Sequence, residues 1–370
     1  MNNVRVELRT VRMPLVRPFR TSRSVETEKD ALLVRWTVGD IDGWGECGAD
    51  PTPTFFPETL DSALSMIKSV FLPLLAEGDP AGLTGYQAKR IMDEVPGNQL
   101  AKAALEMAVL DAQLRGSNMS LTEYLGGDGH PVRVGVSVGI PSDIAQLLEW
   151  VGQYLDDGYT RVKLKIAPGW DVEPVEAVRH KFGARLQLQV DANQAYGPAD
   201  YNVLRRLDEF DLLLIEQPYP KEALLAHARL AARISTPICL DESITSVHGA
   251  AAAIALGACQ IINIKPARVG GYLEARSIHD LCLAQGIPVF CGGLLETGIG
   301  RAANLALATL PNFTLPGDIS ATSRYFARDI AQSFELHDGS LHGPTGPGTG
   351  AIVDQDALET YTVRKEMIEL

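Results

Sequence analysis

The sequence predicts an α/β fold: a parallel β/α barrel carrying a second, α+β module. Three observations predict it. Five short apolar runs each end on a polar or charged residue: RVKLKI (161–166), LQLQVDAN (186–193), LLLIEQP (212–218), ICLDES (238–243) and IINIKP (261–266). Their ends, Lys165, Asp191, Glu216, Asp241 and Lys265, follow one another at 26, 25, 25 and 24 residues. A strand, a loop, a helix and a return loop use about 25 residues. Amphipathic segments such as DIAQLLEWVGQYLDDG (143–158) and YLEARSIHDLCLAQG (272–286) stand between such runs, as the outer helices of a barrel do. Residues 1–125, in contrast, do not keep the rhythm.

In chain order, VRVELRTVRM (4–13) and ALLVRWTV (31–38) alternate as antiparallel strands do. The polar stretch 15–30 between them reads as a long loop, and GWGECGADPTPTFFPET (43–59) as a second. Phe19, Phe55 and Phe56 are apolar residues in these polar loops, placed to pin them to the barrel or to wall a pocket. Helical patterns follow at 58–76, where Pro73 is expected to kink or end the helix, and at 98–116, with Asn98 as N-cap and Gly116 as stop. VRVGVSVG (132–139) is the expected first barrel strand, with Gly139 near the rim of Lys165 and Ser137 just inside. PVFCGG (288–293) is the seventh and FTLPGDIS (313–320) a shorter eighth. The turn-rich end folds back onto the first module. The expected division is a capping domain over 1–128, a barrel over 129–325 and a returning segment over 326–370.

Composition narrows the function. The chain has 370 residues, 46% of them hydrophobic, and a net charge of −13, which argues against nucleic acid or an anionic membrane as partner. It has no run of 18 apolar residues and no signal-peptide core at MNNVRVELRT, so a soluble, cytoplasmic protein is expected. A small-molecule substrate and a homo-oligomer go with that expectation. Cys47, Cys239, Cys259, Cys282 and Cys291 form no CxxC pair and read as buried free thiols. No Walker motif or GxGxxG after a strand supports nucleotide binding, and no histidine ends a barrel strand.

Residues that recur at strand ends share the C-terminal rim of a parallel barrel, where such folds place their chemistry. Three carboxylates crowded there, Asp191, Glu216 and Asp241, repel one another unless a cation is shared. An all-oxygen set favours Mg²⁺ over zinc, with Mn²⁺ or another divalent cation as a substitute. Asn193 and Glu242 then orient ligands. Lys163 and Lys165 share one face of a strand. Two lysines together, facing a cation, are expected to have their pKa lowered from about 10.4 toward about 7–8, giving a neutral amine that takes a proton. Lys265 stands across the mouth from Lys165. Arg268 either adds positive charge there or is a surface loop residue. Gly292 and Gly293 either receive an anion through backbone N–H groups or allow close packing. Such a set suits removal of the α-proton of a carboxylate, with the enediolate charge stabilised by the cation.

The motifs KLK (163–165), DAN (191–193), IEQP (215–218), LDES (240–243) and IKPARVGG (264–271) resemble the muconate-lactonizing-enzyme subgroup of the enolase superfamily. MPLVRPFRTS (13–22) and CGGLLETGIGRAANLALATLPNFTLPGDIS (291–320) are similar to the o-succinylbenzoate synthase / N-succinylamino acid (N-acylamino acid) racemase family. The resemblance spans essentially the whole chain. It implies a modified TIM barrel, (β/α)₇β, capped by a domain built from the N-terminal region and the C-terminal tail. It implies Lys165 as base, Lys265 as second base or enediolate stabiliser, Lys163 as the support of Lys165, and Mg²⁺ on Asp191, Glu216 and Asp241. Ser137, Phe19 and the backbone of Gly292, Gly293, Leu294 and Leu295 would line the substrate pocket. Arg268 matches members with racemase activity. Dipeptide epimerases of the subgroup carry Asp-x-Asp where this chain has Asp318-Ile319-Ser320. Syn dehydration to o-succinylbenzoate in menaquinone synthesis and racemisation of N-succinylamino acids are both implied. The alternatives are another reaction of the subgroup (a cycloisomerase or dipeptide epimerase) and a catalytically silent binding barrel.

Overall fold

A computed structural model describes residues 4–370. Four antiparallel strands form the cap sheet: β1 (Val4–Arg20), β2 (Val25–Val38), β3 (Ile41–Cys47) and, from the far end of the chain, β13 (Thr362–Glu369), in the order β13-β1-β2-β3. Val4, Val6 and Leu8 of β1 alternate with polar residues and are buried with Leu32, Val34 and Trp36 of β2 against helix Gln99–Gly116. β3 lies directly on that helix. A Cβ at Gly43 or Gly45 would fall 2.1 Å from the Ala108 carbonyl oxygen or 1.9 Å from that of Ala104, so only glycine permits the approach.

The stretch 15–30 is not the loop its polarity suggests. β1 and β2 pair up to Pro14↔Glu28, shift register across residues 15–18, and pair again at Phe19↔Glu26 and Arg20↔Val25, leaving a turn at residues 21–24. The far end of this hairpin is wet on one side, so charged residues fill its exposed positions and hide the alternation. Likewise residues 43–47 belong to β3, and the second loop begins at Gly48. Pro73 does not end its helix. Leu60–Met66 passes through a π-turn at Ile67–Phe71 into Leu72–Ala76, with the Leu72 N–H bonded to the Ile67 carbonyl. The wider turn accommodates a residue that brings a ring and no donor. Asn98 does not cap with its side chain; it takes a left-handed φ of 56°. The Glu58 carboxylate caps instead, accepting from Leu100 N (2.9 Å) and Ala101 N (3.1 Å).

The barrel sheet is parallel and seven-stranded, running β5 (Val136–Val138), β6 (Arg161–Lys165), β7 (Gln187–Asp191), β8 (Ile215–Glu216), β9 (Ile238–Leu240), β10 (Ile261–Ile264) and β11 (Val289–Cys291) in sequential order. The run 132–139 is two strands rather than one. β4 (Val132–Arg133) pairs with β12 (Ser340–Leu341), and only β5 enters the barrel. The break falls at Gly135, where a Cβ would lie 2.3 Å from the buried Arg161 guanidinium carbon. The stretch 313–320 closes the sheet without forming a regular strand. It makes isolated parallel bridges, Val289↔Phe313 and Val134↔Gly317, and Asp318 N bonds to Cys291 O at 2.8 Å. Pro316 has no donor for a ladder, and Arg161 Nη2 takes the carbonyls of Pro316 (2.6 Å) and Gly317 (2.7 Å). All five cysteines are free and buried.

Two buried carboxylates of the cap sit on the first turns of barrel helices. Glu46 accepts from Thr297 N (3.0 Å), Thr297 Oγ1 (2.7 Å) and Gly300 N (2.9 Å), before and within helix Gly298–Leu307. Glu106 accepts from Tyr272 N and Leu273 N (2.9 Å each), opening helix Tyr272–Gln285. Burial pushes both carboxyls up to about 7, although helix N-termini favour the ionised form. The tail reaches the cap as well: Asp111 Oδ1 accepts from Thr349 N at 2.6 Å, and β13 runs along β1 from Arg5↔Glu369 to Val11↔Thr362.

Candidate active site

Five consecutive strands end at one mouth. Parallel pairing puts Lys165 of β6 beside Asp191 of β7, and Asp191 beside Glu216 of β8. Asp241 and Lys265 come directly after β9 and β10. Gln217, at a left-handed φ of 38°, holds the next loop in place: its Oε1 accepts from Asp241 N (2.9 Å) and Ser243 N (3.1 Å).

One oxygen each from Asp191, Glu216 and Asp241 lies within 4.8 Å of the others, and all three residues are buried. Burial and then repulsion from Asp191 push the Glu216 carboxyl up to about 8. Burial opposes the Asp241 charge, yet Lys265 and Arg268 pull its carboxyl down to about 2. A set of crowded, buried carboxylate oxygens is the donor chemistry a hard divalent cation takes, and the triad can hold one.

The lysines flank the triad. Lys165 Nζ donates to Asp191 Oδ2 (2.6 Å) and Asn193 Oδ1 (2.8 Å); Lys265 Nζ donates to Asp241 Oδ2 (2.7 Å). Lys163 bonds Glu216 Oε2 at 3.0 Å and Asp318 more closely still. Against the lowering expected from a facing cation and a second lysine, the carboxylates around Lys163 act the other way. Burial lowers its value, but attraction from Asp318, Glu216 and Asp191 outweighs burial and holds it well above the usual range. Lys265 is raised too, because Asp241 outweighs burial and the repulsion of Lys163 and Arg268. Sequence parity put Lys163 and Lys165 on one face and the strand rhythm put the carboxylates at the same rim, but the attraction between them was not set against the repulsion of the two lysines.

Arg268 is not a surface residue. It is 2% exposed, donates from Nε to Ile244 O (2.6 Å) and from Nη2 to Asn263 O (2.5 Å), and pairs with Asp241. Gly292 is a packing glycine. Its N–H is taken by Ile264 O (2.9 Å), and a Cβ there would lie 2.1 Å from Asn263 Oδ1 and 2.7 Å from the Lys265 stem.

Above the triad is a cavity with about 700 Å³ of empty space, the open mouth included. Phe19, Ser137, Lys163, Lys165, Asn193, Glu242, Lys265, Gly293, Leu294 and Leu295 line it, as do Phe55 and Phe56. Phe19 packs edge-on to Tyr325, with centroids 6.4 Å apart, and its ring centroid is 6.0 Å from Lys165 Nζ. Asp191, Glu216 and Asp241 are not themselves in the lining; they lie behind the lining lysines that hydrogen-bond them, and Arg268 and Gly292 are likewise outside it. Glu242 is 4% exposed, accepts from Asn193 Nδ2 at 3.3 Å, and is pushed up to about 7 by burial and by Asp241 and Asp191.

Sequence reading missed several residues here. Asp318 lies 2.8 Å from Arg161 and close to Lys163, so both charges of a buried cluster hang on it. Arg161 had a signal, since it shares strand parity with Lys163 and Lys165; Asp318 was read only as a departure from the Asp-x-Asp of dipeptide epimerases, not as the partner of Lys163 and Arg161. Glu26, Lys29, Asp50 and Tyr325 also line the cavity.

Comparison with known proteins places this geometry. Residues 146–357 match the family model "Enolase C-terminal domain-like", and residues 3–126 match "Mandelate racemase / muconate lactonizing enzyme, N-terminal domain". The chain is 53% identical over 363 residues to an N-succinylamino acid racemase of Amycolatopsis sp, covering 98% of each chain. It is 45% identical over 359 residues to the o-succinylbenzoate synthase of Geobacillus stearothermophilus, covering 96% of this chain and 95% of that one. A crystal structure of an enolase-superfamily member from Listeria innocua superposes with a TM-score of 0.94 at 42% identity, over 100% of this chain and 99% of that one.

Proposed function

Because the chain belongs to the o-succinylbenzoate synthase / N-succinylamino acid racemase family of the enolase superfamily, we propose that it removes the α-proton of a small carboxylate substrate through an enediolate, to racemise N-succinylamino acids, to form o-succinylbenzoate by syn dehydration, or both. One observation carries the reading: Lys165 and Lys265 each touch a different carboxylate of one buried triad, at 2.6 and 2.7 Å. Two amines on opposite flanks of a bound carboxylate reach its two faces.

Mg²⁺ held by Asp191, Glu216 and Asp241 would stabilise the negative charge that develops on the substrate's carboxylate oxygens. In racemisation Lys165 takes the proton from one face and Lys265 returns one to the other, with the roles exchanged for the opposite enantiomer. In dehydration Lys165 takes the α-proton and delivers it to the departing hydroxyl, which leaves as water, while the Lys265 ammonium faces the enediolate. Lys163, fixed by Glu216 and Asp318, adds positive charge behind Lys165. Phe19, Ser137, Gly293, Leu294 and Leu295 contact the substrate, and Asn193 orients Lys165.

The alternatives are less well supported. A silent barrel predicts the loss of a lysine or a carboxylate, and none is lost. A dipeptide epimerase needs strand-eight carboxylates free for a substrate ammonium, whereas Asp318 is engaged by Lys163 and Arg161. A cytoplasmic location is part of the same reading, supported by the acidic composition and the five free cysteines.

The test is deuterium exchange of both enantiomers of N-succinylphenylalanine in D₂O with Mg²⁺, on wild type, Lys165→Ala and Lys265→Ala. Each variant should lose exchange with one enantiomer and keep it with the other. Wild type that exchanges neither enantiomer excludes racemisation and leaves the synthase reaction to be assayed.

A further inference from the structure

Three charged residues of the cap overhang this site and have no part in the chemistry above. Glu26, Lys29 and Asp50 line the roof of the cavity beside Phe55 and Phe56. Glu26 is the cross-strand partner of Phe19. Directly opposed residues of an antiparallel pair place their side chains on one face, so Glu26 looks into the cavity as Phe19 does. Lys29 is 3% exposed, and its ammonium donates to Asp50 Oδ1 at 3.2 Å. Burial works against that charge, yet attraction to Asp50 and Glu26 keeps it firmly protonated.

The roof therefore holds one cation and two carboxylates, and the cation is already engaged. Glu26 has one side-chain contact among the described residues, from Ser24 Oγ at 3.4 Å, toward the hairpin turn. Acceptor oxygens are in excess: the four carboxylate oxygens of Glu26 and Asp50 face one ammonium, which gives one of its three N–H groups to Asp50. An anionic group brought to this roof meets net negative charge. An aliphatic group strips water from Glu26 and offers nothing in return. A cation bearing N–H groups satisfies the carboxylate, and the adjacent rings of Phe55 and Phe56 favour it further.

Resting on the racemase reading, we propose that the roof selects substrates whose side chain ends in a positively charged, hydrogen-bond-donating group, with Glu26 as its partner. A basic N-acylamino acid is then the preferred substrate class, and Glu26 is a specificity-determining residue supplied by the cap.

The experiment compares kcat/KM for α-proton exchange of N-succinyl-L-lysine, N-succinyl-L-norleucine and N-succinyl-L-glutamate with Mg²⁺, on wild type and Glu26→Gln. Norleucine matches lysine in length without its charge. A hydrogen bond to a charged partner predicts a lysine-to-norleucine ratio of about 10–100 in wild type, glutamate the poorest of the three, and a ratio near one in Glu26→Gln. Calorimetric binding of the same three compounds to the Lys165→Ala protein carries the comparison without turnover and should give the same order. Norleucine equal to lysine, or a ratio that survives in Glu26→Gln, overturns the proposal. A preference for glutamate overturns it too and assigns the roof's recognition to Lys29. Exchange with norleucine but no preference for lysine sinks this inference alone, whereas no exchange with any of the three removes the racemase reading and the inference together.

Discussion

Glu242 determines which end of the Asn193 amide faces Lys165. Its Oε1 takes the Asn193 Nδ2 hydrogen at 3.3 Å, which leaves Asn193 Oδ1 to accept from Lys165 Nζ at 2.8 Å. An ammonium can only donate and an ionised carboxylate can only accept, so with Glu242 ionised the amide has one orientation that satisfies both neighbours. With Asp191 on its other side, Lys165 is held by two acceptors and aimed at the cavity.

Glu242→Ala removes that constraint and lets the amide turn. Support of this kind is worth about 10–100-fold. The loss is expected in kcat, with KM changed far less, because the substrate's own contacts are intact. A change confined to KM shows that Glu242 contacts the substrate rather than positioning Lys165.

Gly292→Ala tests the packing behind Lys265. The added Cβ falls 2.7 Å from that lysine's stem and 2.1 Å from Asn263 Oδ1, so one of them must shift. A displacement near one ångström costs on the order of 100-fold in rate. Exchange of the enantiomer served by Lys265 is expected to fall by about that factor, and exchange of the other much less. Equal losses for both enantiomers mean that the fold, not Lys265, was disturbed.

The seam between cap and barrel predicts a pH dependence of stability. Burial raises the Glu106 carboxyl from its ordinary 4.5 to about 7 in the folded protein. The folded state therefore binds this proton more tightly than the unfolded state. The resulting stabilisation is complete below about pH 4.5 and is lost as pH rises through 7; it is on the order of 3 kcal/mol at most. The urea midpoint of wild type is expected to fall between pH 5 and pH 8, and that of Glu106→Gln to fall less steeply. Parallel pH profiles for the two proteins contradict the assignment.

The charged strand ends were legible because each barrel strand is buried on both sides, which makes its terminal charge conspicuous against an apolar run. That contrast marked Lys165, Asp191, Glu216, Asp241 and Lys265 in the sequence. The pairing of Asp318 escaped because the eighth segment is held by Arg161 instead of a ladder, so strand parity does not say which way its side chain faces. The roof escaped for a different reason. Phe19 and Glu26 meet through hairpin register, which depends on where the turn falls, and charge on the wet side of the hairpin made residues 15–30 look like a loop. The sequence reading weighed the two lysines and the cation but not the pull of carboxylates on Lys163, which comes from Glu216 and Asp318, 53 and 155 residues away.

The order of strands in the cap sheet, β13-β1-β2-β3, bears on how the protein is made. The hairpin of β1 and β2 leaves the ribosome well before the strand that covers the outer side of β1, because the whole barrel lies between them in the chain. Until Thr362–Glu369 arrives, β1 carries a bare row of N–H and C=O groups, the kind of edge on which nascent chains aggregate. The cap is therefore finished only after the barrel has been threaded between its two parts. A fragment stopping near residue 128 would not be a smaller protein with a cap of its own but a sheet with an open side.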